Sequence, residues 1–334
     1  MSMTALARTA LPVEPDHRET TAFAADVVAG LTATPKRLPP KYFYDITGSE
    51  LFESITTLPE YYPTRTELGI LNERAKDIAA LIPAGAALIE FGSGASTKTR
   101  IVLNAAKGLA AYVPVDISAE FLMQQAETLR GEYPGVAMLP VVADFSKPFE
   151  LPAVSQGMPR VGFFPGSTIG NFEPHEAAAF LRHAGAILGP GATLIVGVDL
   201  VKDEKVLHKA YNDKQHITAK FNLNLLTRIN RELGACFDVK CFEHHAFYNR
   251  ERSRIEMHLA SLKRQKVVVC GERIEFRAGE TIHTENSYKY SVESFGCLAR
   301  GADWTPVAVW TDRDNYFSVH ALQIKGGPQS RTPG

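Results

Sequence analysis

The chain has no CxxC pair: its four cysteines, Cys236, Cys241, Cys270 and Cys297, are scattered through the C-terminal third. Such thiols fit a reducing compartment, and no disulfide is expected. It has no excess of charge either. Lys and Arg number 36 against 37 Asp and Glu, a formal net charge of −1, so nothing draws it to a phosphate backbone or an anionic surface, and neither nucleic acid nor membrane is expected as a partner. Long apolar runs are missing too. His183–Val198, the longest uncharged stretch beside Val161–Phe172, contains Gly and Pro and falls short of the ~18 residues of a membrane span. Met1–Arg8 shows no basic region followed by an apolar core, so no secretory signal is expected and the cytoplasm is the expected compartment.

What is present suits an ordinary globular protein of one or two domains: 334 residues, 45% hydrophobic and 22% charged. Residues 1–21 are polar and read as a flexible N-terminal arm. Ala22–Leu31 reads as an amphipathic helix, and the double proline Pro39-Pro40 predicts an extended, wall-forming stretch over Leu38–Asp45. A charged helix is predicted over Thr66–Leu81. Apolar strands are predicted at Ala86–Phe91, Ala110–Val115, Ala137–Val142, Val161–Phe164 and Thr193–Val198, each separated by a segment of helical period. That alternation means a parallel α/β sheet with right-handed crossovers.

Beyond it, Lys202–Asn230 is helix-rich, while Phe237–Ala246, Arg254–Leu259 and Val267–Phe276 read as strands of a second sheet. Pro306–Thr311 and Tyr316–Leu322 flank Asp312–Asn315 as a hairpin. Five parallel strands closed by a hairpin make the Rossmann-like sheet of class I methyltransferases. The expected division is therefore a methyltransferase domain over 66–201 and 290–326, with a substrate-binding α+β lobe from 22–65 and 202–289.

Three strand ends carry the ligand signal. Glu90-Phe91-Gly92-Ser93-Gly94-Ala95-Ser96 leads from the first strand into a helix, where α/β sheets bind ligands; glycines at i and i+2 permit a tight turn and close approach, although purely structural turns use them as well. Asp116 ends the second strand about 24 residues beyond Gly92, at the place of a ribose-binding carboxylate. Asp144-Phe145 ends the third, where a carboxylate accepts an adenine amino group beside an aromatic face. A nicotinamide fingerprint would need glycine at position 97, where Thr97 stands. A phosphate-free adenosyl ligand fits better, and S-adenosylmethionine is that cofactor.

With these residues in view, the chain resembles the histidine-specific Nα-methyltransferases that form hercynine, the trimethylbetaine of histidine, in ergothioneine biosynthesis. The resemblance runs from about Leu31 to Leu322 and is carried by Leu38-Pro39-Pro40-Lys41-Tyr42-Phe43-Tyr44-Asp45, Leu58-Pro59-Glu60-Tyr61-Tyr62-Pro63-Thr64-Arg65, Gly166-Ser167-Thr168-Ile169-Gly170-Asn171, Asp199-Leu200-Val201-Lys202-Asp203 and Thr284-Glu285-Asn286-Ser287. It implies that Gly92, Lys98, Asp116, Asp144 and Phe145 contact S-adenosylmethionine. It implies that Tyr61, Asn171 and Tyr211 hold the carboxylate and amino group of L-histidine, that Tyr44 lies beside the reacting nitrogen, and that Glu285 and Ser287 hold the imidazole. Met257 would limit the pocket near the ring.

The chemistry is compatible with these residue types. Methyl transfer from sulfonium to amine needs positioning more than an oxyanion hole or metal, and the α-amine needs an acceptor for its proton, for which the Tyr44 hydroxyl is the candidate. Glu285 and Ser287, two residues apart, face one side of an extended segment and suit the two imidazole nitrogens in complementary senses. No metal is expected: His244-His245 near Cys241 has no second ligand pair at a zinc-like spacing. A monomer is expected. The rival readings are a methyltransferase for another free amino acid such as a tryptophan derivative, a nicotinamide-dependent oxidoreductase, and a non-catalytic binding module; Glu285 disfavours the first and Thr97 the second.

Overall fold

The computed structural model describes residues 17–94 and 96–324. Helix α1 (His17–Thr32) begins five residues before the expected start; the rest of the expected arm, residues 1–16, lies outside the described residues. Strand β1 (Lys36–Arg37) follows. Where an extended wall was expected, Pro40–Phe43 forms a 3₁₀ turn with Tyr42 and Phe43 buried, because a proline at the first helical position forfeits no hydrogen bond. Helix α2 (Ile46–Thr56) is capped by Asp45, whose carboxylate accepts from Gly48 N at 2.7 Å. The single helix expected over 66–81 is two, α3 (Tyr62–Glu73) and α4 (Ala75–Ala79): Pro63 starts it early and Arg74 breaks it.

From there strands and helices alternate as expected: β2 (Ala87–Phe91), α5 (Thr97–Ala105), β3 (Ala111–Asp116), α6 (Ala119–Glu132), β4 (Ala137–Met138), β5 (Val141–Val142), β6 (Arg160–Phe164), α7 (Pro174–Leu188) and β7 (Thr193–Asp199). One strand expected over 137–142 is split into β4 and β5 around Pro140, which has no N–H for the ladder. The chain continues through α8 (Glu204–Tyr211), α9 (Ile217–Leu233), β8 (Phe242–Asn249), β9 (Arg254–Ser261), β10 (Gln265–Val269), β11 (Glu272–Phe276), β12 (Thr281–Tyr288), α10 (Val292–Arg300), β13 (Trp304–Thr311) and β14 (Phe317–Ile324). The expected strand over 267–276 is instead the β10–β11 hairpin. Cys270 and Gly271 turn it with φ of 50° and 84°, the positive values a tight hairpin needs.

The large sheet runs β13-β14-β7-β6-β2-β3-β4, with β5 also on β3. Strands β2 to β7 are parallel, and the β13–β14 hairpin adds antiparallel to β7. This is the class I methyltransferase arrangement. Every residue of β2 and β7 is buried, as a sheet covered on both faces requires. The order reverses between β2 and β6, so a crevice opens at their C-terminal ends. A second sheet, β1-β12-β9-β8, packs its own core, in which Phe43, Tyr62, Leu225, Phe221, Met257 and Ile282 are buried. Among the described residues no helix is long and apolar enough to cross a membrane.

Candidate active site

At the C-terminal edge of the large sheet lies a cleft of about 800 Å³ whose lining includes Gly92, Lys98, Asp116, Asp144 and Phe145. Gly92 follows β2 with φ of 77°, and its N–H and that of Ser93 donate to Val115 O at 2.8 and 3.2 Å, tying the first loop to the end of β3. A Cβ on Gly92 would stand 3.2 Å from Phe145 Cε1, so the missing side chain is what lets the aromatic ring close over the loop. The Asp116 carboxylate accepts from Ser118 N at 2.9 Å; burial raises its pKa against the backbone donors of Ser118 and Ile117. Phe145 is fixed edge-on to Phe164 and Phe180, with centroids at 5.6 and 6.0 Å. Lys98 Nζ lies 2.5 Å from the carboxylate of Glu67, a side chain 1% exposed.

Glu67 joins this cleft to the next element. Its two oxygens also accept from Gly166 N at 3.0 and 2.9 Å, fixing the turn that follows β6. A Cβ on Gly197 would fall 2.0 Å from Glu67 Oε1, so β7 is bare of side chain where the carboxylate lies against it. The turn then runs into the 3₁₀ segment Thr168–Asn171, which seats Gly170 against β12, where a Cβ would meet Tyr288 O at 2.8 Å.

A smaller chamber continues inward from the cleft. Tyr44, Tyr61, Asn171, Tyr211, Met257, Glu285 and Ser287 all line it, and Tyr44, Tyr61 and Asn171 line the cleft as well. The residues assigned to cofactor and substrate in the sequence thus line one continuous space, with those three at the junction. The register pairs Glu285 with Met257 and Ser287 with Ile255, after a bulge between His283 and Glu285. Burial drives the hydroxyls of Tyr44, Tyr61 and Tyr211 well above the ordinary phenol pKa. Burial also raises the Glu285 carboxyl to about 7, against the lowering pull of Lys289. Among the described residues none donates a hydrogen bond to that carboxylate.

A buried ion network meets the chamber at Asp199, one of its lining residues. Asp199, 1% exposed, accepts from Tyr62 OH at 2.9 and 2.7 Å, from Lys202 Nζ at 2.5 Å and from Lys289 Nζ at 2.7 Å. Burial pushes its carboxyl up, but the Lys289 and Lys202 ammonium groups outweigh it and hold the pKa below the ordinary value. Lys202 is pushed down to about 8, burial being the main cause. Lys289 reaches upward as well, donating to Ser287 Oγ at 2.7 Å and to Tyr211 OH at 3.3 Å, while Tyr211 OH donates to Ser287 Oγ at 2.7 Å.

Residues 23–324 match the sequence profile of a family described as histidine-specific methyltransferase, SAM-dependent. This chain belongs to it. It is 43% identical over 303 residues to a histidine N-alpha-methyltransferase of Mycobacterium tuberculosis, and 45% identical over 304 residues to the enzyme of that name in Mycolicibacterium smegmatis. Each comparison covers 89% of this chain and 94% of the relative. The ergothioneine biosynthesis protein 1 of Neurospora crassa is 32% identical over 307 residues, covering 86% of this chain and 33% of that longer protein.

Within this methyltransferase, the first loop gives a direct test. Gly92→Ala meets both a left-handed backbone, worth ~1–2 kcal/mol, and the Phe145 ring. It is expected to raise the dissociation constant for S-adenosylhomocysteine about 10-fold with the fold retained, measured by calorimetry and thermal unfolding. Unchanged affinity would mean that the loop yields.

Sequence reasoning missed Glu67 and Lys289 and assigned no site role to Tyr62, Asp199 or Lys202, although these three stand in motifs the resemblance rests on. Single charges inside helical or strand patterns carry no periodic signal, so burial alone exposes them. His244, singled out in the sequence, has both ring nitrogens engaged, Nε2 with Tyr211 O and Nδ1 with Asn222, each at 2.9 Å. Glu256, His258 and His283 bring ligand atoms within 4.8 Å of one another. However, the rings of His258 and His283 stack at 4.6 Å and 12°, with Phe247 stacked on His258 at 5.4 Å. Lone pairs in the planes of stacked rings run parallel instead of converging on one ion, and the group is a cross-strand aromatic ladder.

Proposed function

We propose that this chain transfers methyl groups from S-adenosylmethionine to the α-nitrogen of free L-histidine until it is trimethylated, forming hercynine in ergothioneine biosynthesis. One observation carries the substrate assignment: Glu285, a half-buried carboxylate to which none of the described residues donates, faces the same chamber as the buried Ser287 hydroxyl. A neutral imidazole offers one N–H and one lone pair, and this pair of groups answers both. An indole would leave the carboxylate or the hydroxyl without a partner, which costs affinity steeply in a buried site.

In this reading Asp116 takes the ribose hydroxyls, Asp144 and Phe145 the adenine, and Lys98 and the Gly92 loop the remainder of the cofactor. When bound, S-adenosylmethionine supplies a methyl group on an electrophilic sulfonium. Tyr61, Asn171 and Tyr211 orient the amino-acid end so that its nitrogen faces the cleft, and holding the reacting atoms in line supplies most of the acceleration. Tyr44 stays a neutral phenol, since its pKa is raised. It accepts a hydrogen bond from the amine and does not act as a phenolate base, so the amine enters deprotonated or loses its proton to solvent. The ring faces of Tyr44, Phe52, Tyr61 and Phe221 accommodate a trimethylammonium that has no N–H left to donate.

The two sheets are taken as a cofactor domain, 66–201 with 290–326, and a substrate lobe, 22–65 with 202–289, of which residues 325 and 326 lie outside the described residues. Free cysteines exposed at Cys236, Cys270 and Cys297 favour a reducing cytoplasm, and a monomer suffices because one chain contributes every residue above. Incubation with S-adenosylmethionine and the twenty free amino acids, followed by mass spectrometry, is expected to show histidine alone gaining three methyl groups. Methylation of a different amino acid would remove the imidazole assignment.

A further inference from the structure

Ser287 is placed to read the imidazole, yet a hydroxyl can donate or accept, and a site that left this choice open would select poorly between ring tautomers and between histidine and isosteres. What surrounds Ser287 removes the choice. Lys289 Nζ, 0% exposed, donates to Ser287 Oγ at 2.7 Å, to Tyr211 OH at 3.3 Å and to Asp199 Oδ2 at 2.7 Å. An ammonium carries three protons and no lone pair, so all its donors are spent inside the protein and it can accept nothing. Two hydroxyl hydrogens remain, those of Tyr211 and Ser287. One can link the two oxygens, which lie 2.7 Å apart, and the phenol, the more acidic of the two hydroxyls, is the donor: Tyr211 OH donates to Ser287 Oγ. Both lone pairs of Ser287 are then occupied, and its own hydrogen has nowhere to go except into the chamber. Two residues back on the same strand, the Glu285 carboxylate can only accept while ionised, and Lys289 is the cation that favours that state.

We propose that Lys289, which does not itself line the chamber, is the positioning residue that sets the hydrogen-bond polarity of the imidazole pocket. It makes Ser287 a donor opposite the acceptor Glu285 and thereby selects a neutral imidazole with its lone-pair nitrogen toward Ser287 and its N–H toward Glu285. The inference rests on histidine being the substrate. Asp199, which itself lines the chamber, anchors the device, and Lys202 with Tyr62 remains to partner Asp199 when Lys289 is replaced.

The test compares dissociation constants of L-histidine and of 3-(2-thienyl)alanine, whose ring has no nitrogen to read, in the presence of S-adenosylhomocysteine. Lys289→Gln is expected to weaken histidine about 10-fold, the size of one lost hydrogen bond, and to change thienylalanine by less than about 3-fold. In a Ser287→Ala background the same replacement is expected to cost histidine less than about 3-fold, because the hydroxyl it orients is gone. Lys289→Met gives the same comparison without a replacement amide, and thermal unfolding checks that each variant folds. Equal losses for both ligands, or additive losses in the double variant, would overturn the role of Lys289 while leaving the substrate reading intact. A wild-type chain that methylates no histidine would remove both.

Discussion

Glu285→Ala is expected to lower kcat/KM for histidine about 100-fold while leaving the affinity for S-adenosylhomocysteine within about 2-fold. The carboxylate faces the chamber with no donor among the described residues and is the proposed acceptor for an imidazole N–H. A hydrogen bond to a charged group is worth ~1.5–3 kcal/mol, or roughly 10- to 150-fold in a rate or binding constant. The loss should fall on the apolar-ring analogue much less, so steady-state kinetics on both ligands separates recognition from collapse of the pocket.

The same carboxyl has a pH signature. Its pKa is raised to about 7, so below that value it is mostly protonated and accepts poorly. The kcat/KM for histidine should therefore climb as pH rises through about 7, and Glu285→Gln should remove the contribution of the carboxyl, leaving the limb of the substrate's own imidazole at about 6.5 and the one, at higher pH, that reports the substrate amine. Stability runs the other way. A carboxyl whose folded pKa lies above its unfolded value costs nothing below the unfolded pKa; the penalty grows as pH rises and is complete above the folded pKa near 7. Glu285→Gln should accordingly stabilise the ligand-free chain at pH 8 and not at pH 4. Urea unfolding at the two pH values checks this, and a stabilisation independent of pH would count against the assigned cause.

Asp199→Ala is expected to destabilise the chain by ~3–5 kcal/mol, the cost of removing one partner from a buried ion pair. The substitution strands two ammonium groups, with side chains of Lys202 and Lys289 exposed by 3% and 0%, and it removes the acceptor of Tyr62 OH. Lys202→Met should cost less, since Asp199 keeps Lys289 and Tyr62. Denaturant midpoints with unchanged slopes would establish the ranking; an Asp199→Ala loss under about 1 kcal/mol would mean that water enters and solvates the two lysines. Catalysis should suffer too, because Lys289 would be free to turn from Ser287 into the vacated space.

Much of this protein was legible in one dimension. Strands β2, β3, β6 and β7 announce themselves as short apolar runs, because a parallel sheet buried on both faces tolerates little else, and Gly92, Asp116 and Asp144 follow at strand ends where such sheets bind ligands. The errors were local contests. Pro40 started a 3₁₀ turn instead of extending the chain, Pro140 split a strand, and Cys270-Gly271 folded one apparent strand into a hairpin. In each case a single backbone constraint overrode the apolar pattern around it.

The sequence by itself determined the fold class, the adenosyl-type cleft and, through its motif blocks, the family, because these rest on residues whose spacing is local to one strand and its following loop. Only the tertiary structure decided which charges matter beneath the site. Glu67 on α3, Asp199 on β7, Lys202 just beyond it and Lys289 after β12 are separated by up to about 220 residues, and no local pattern distinguishes them from solvated surface charges. Their significance comes from burial, where a charge persists only beside its counter-charge, and that pairing exists only after the sheet and its lobe have come together.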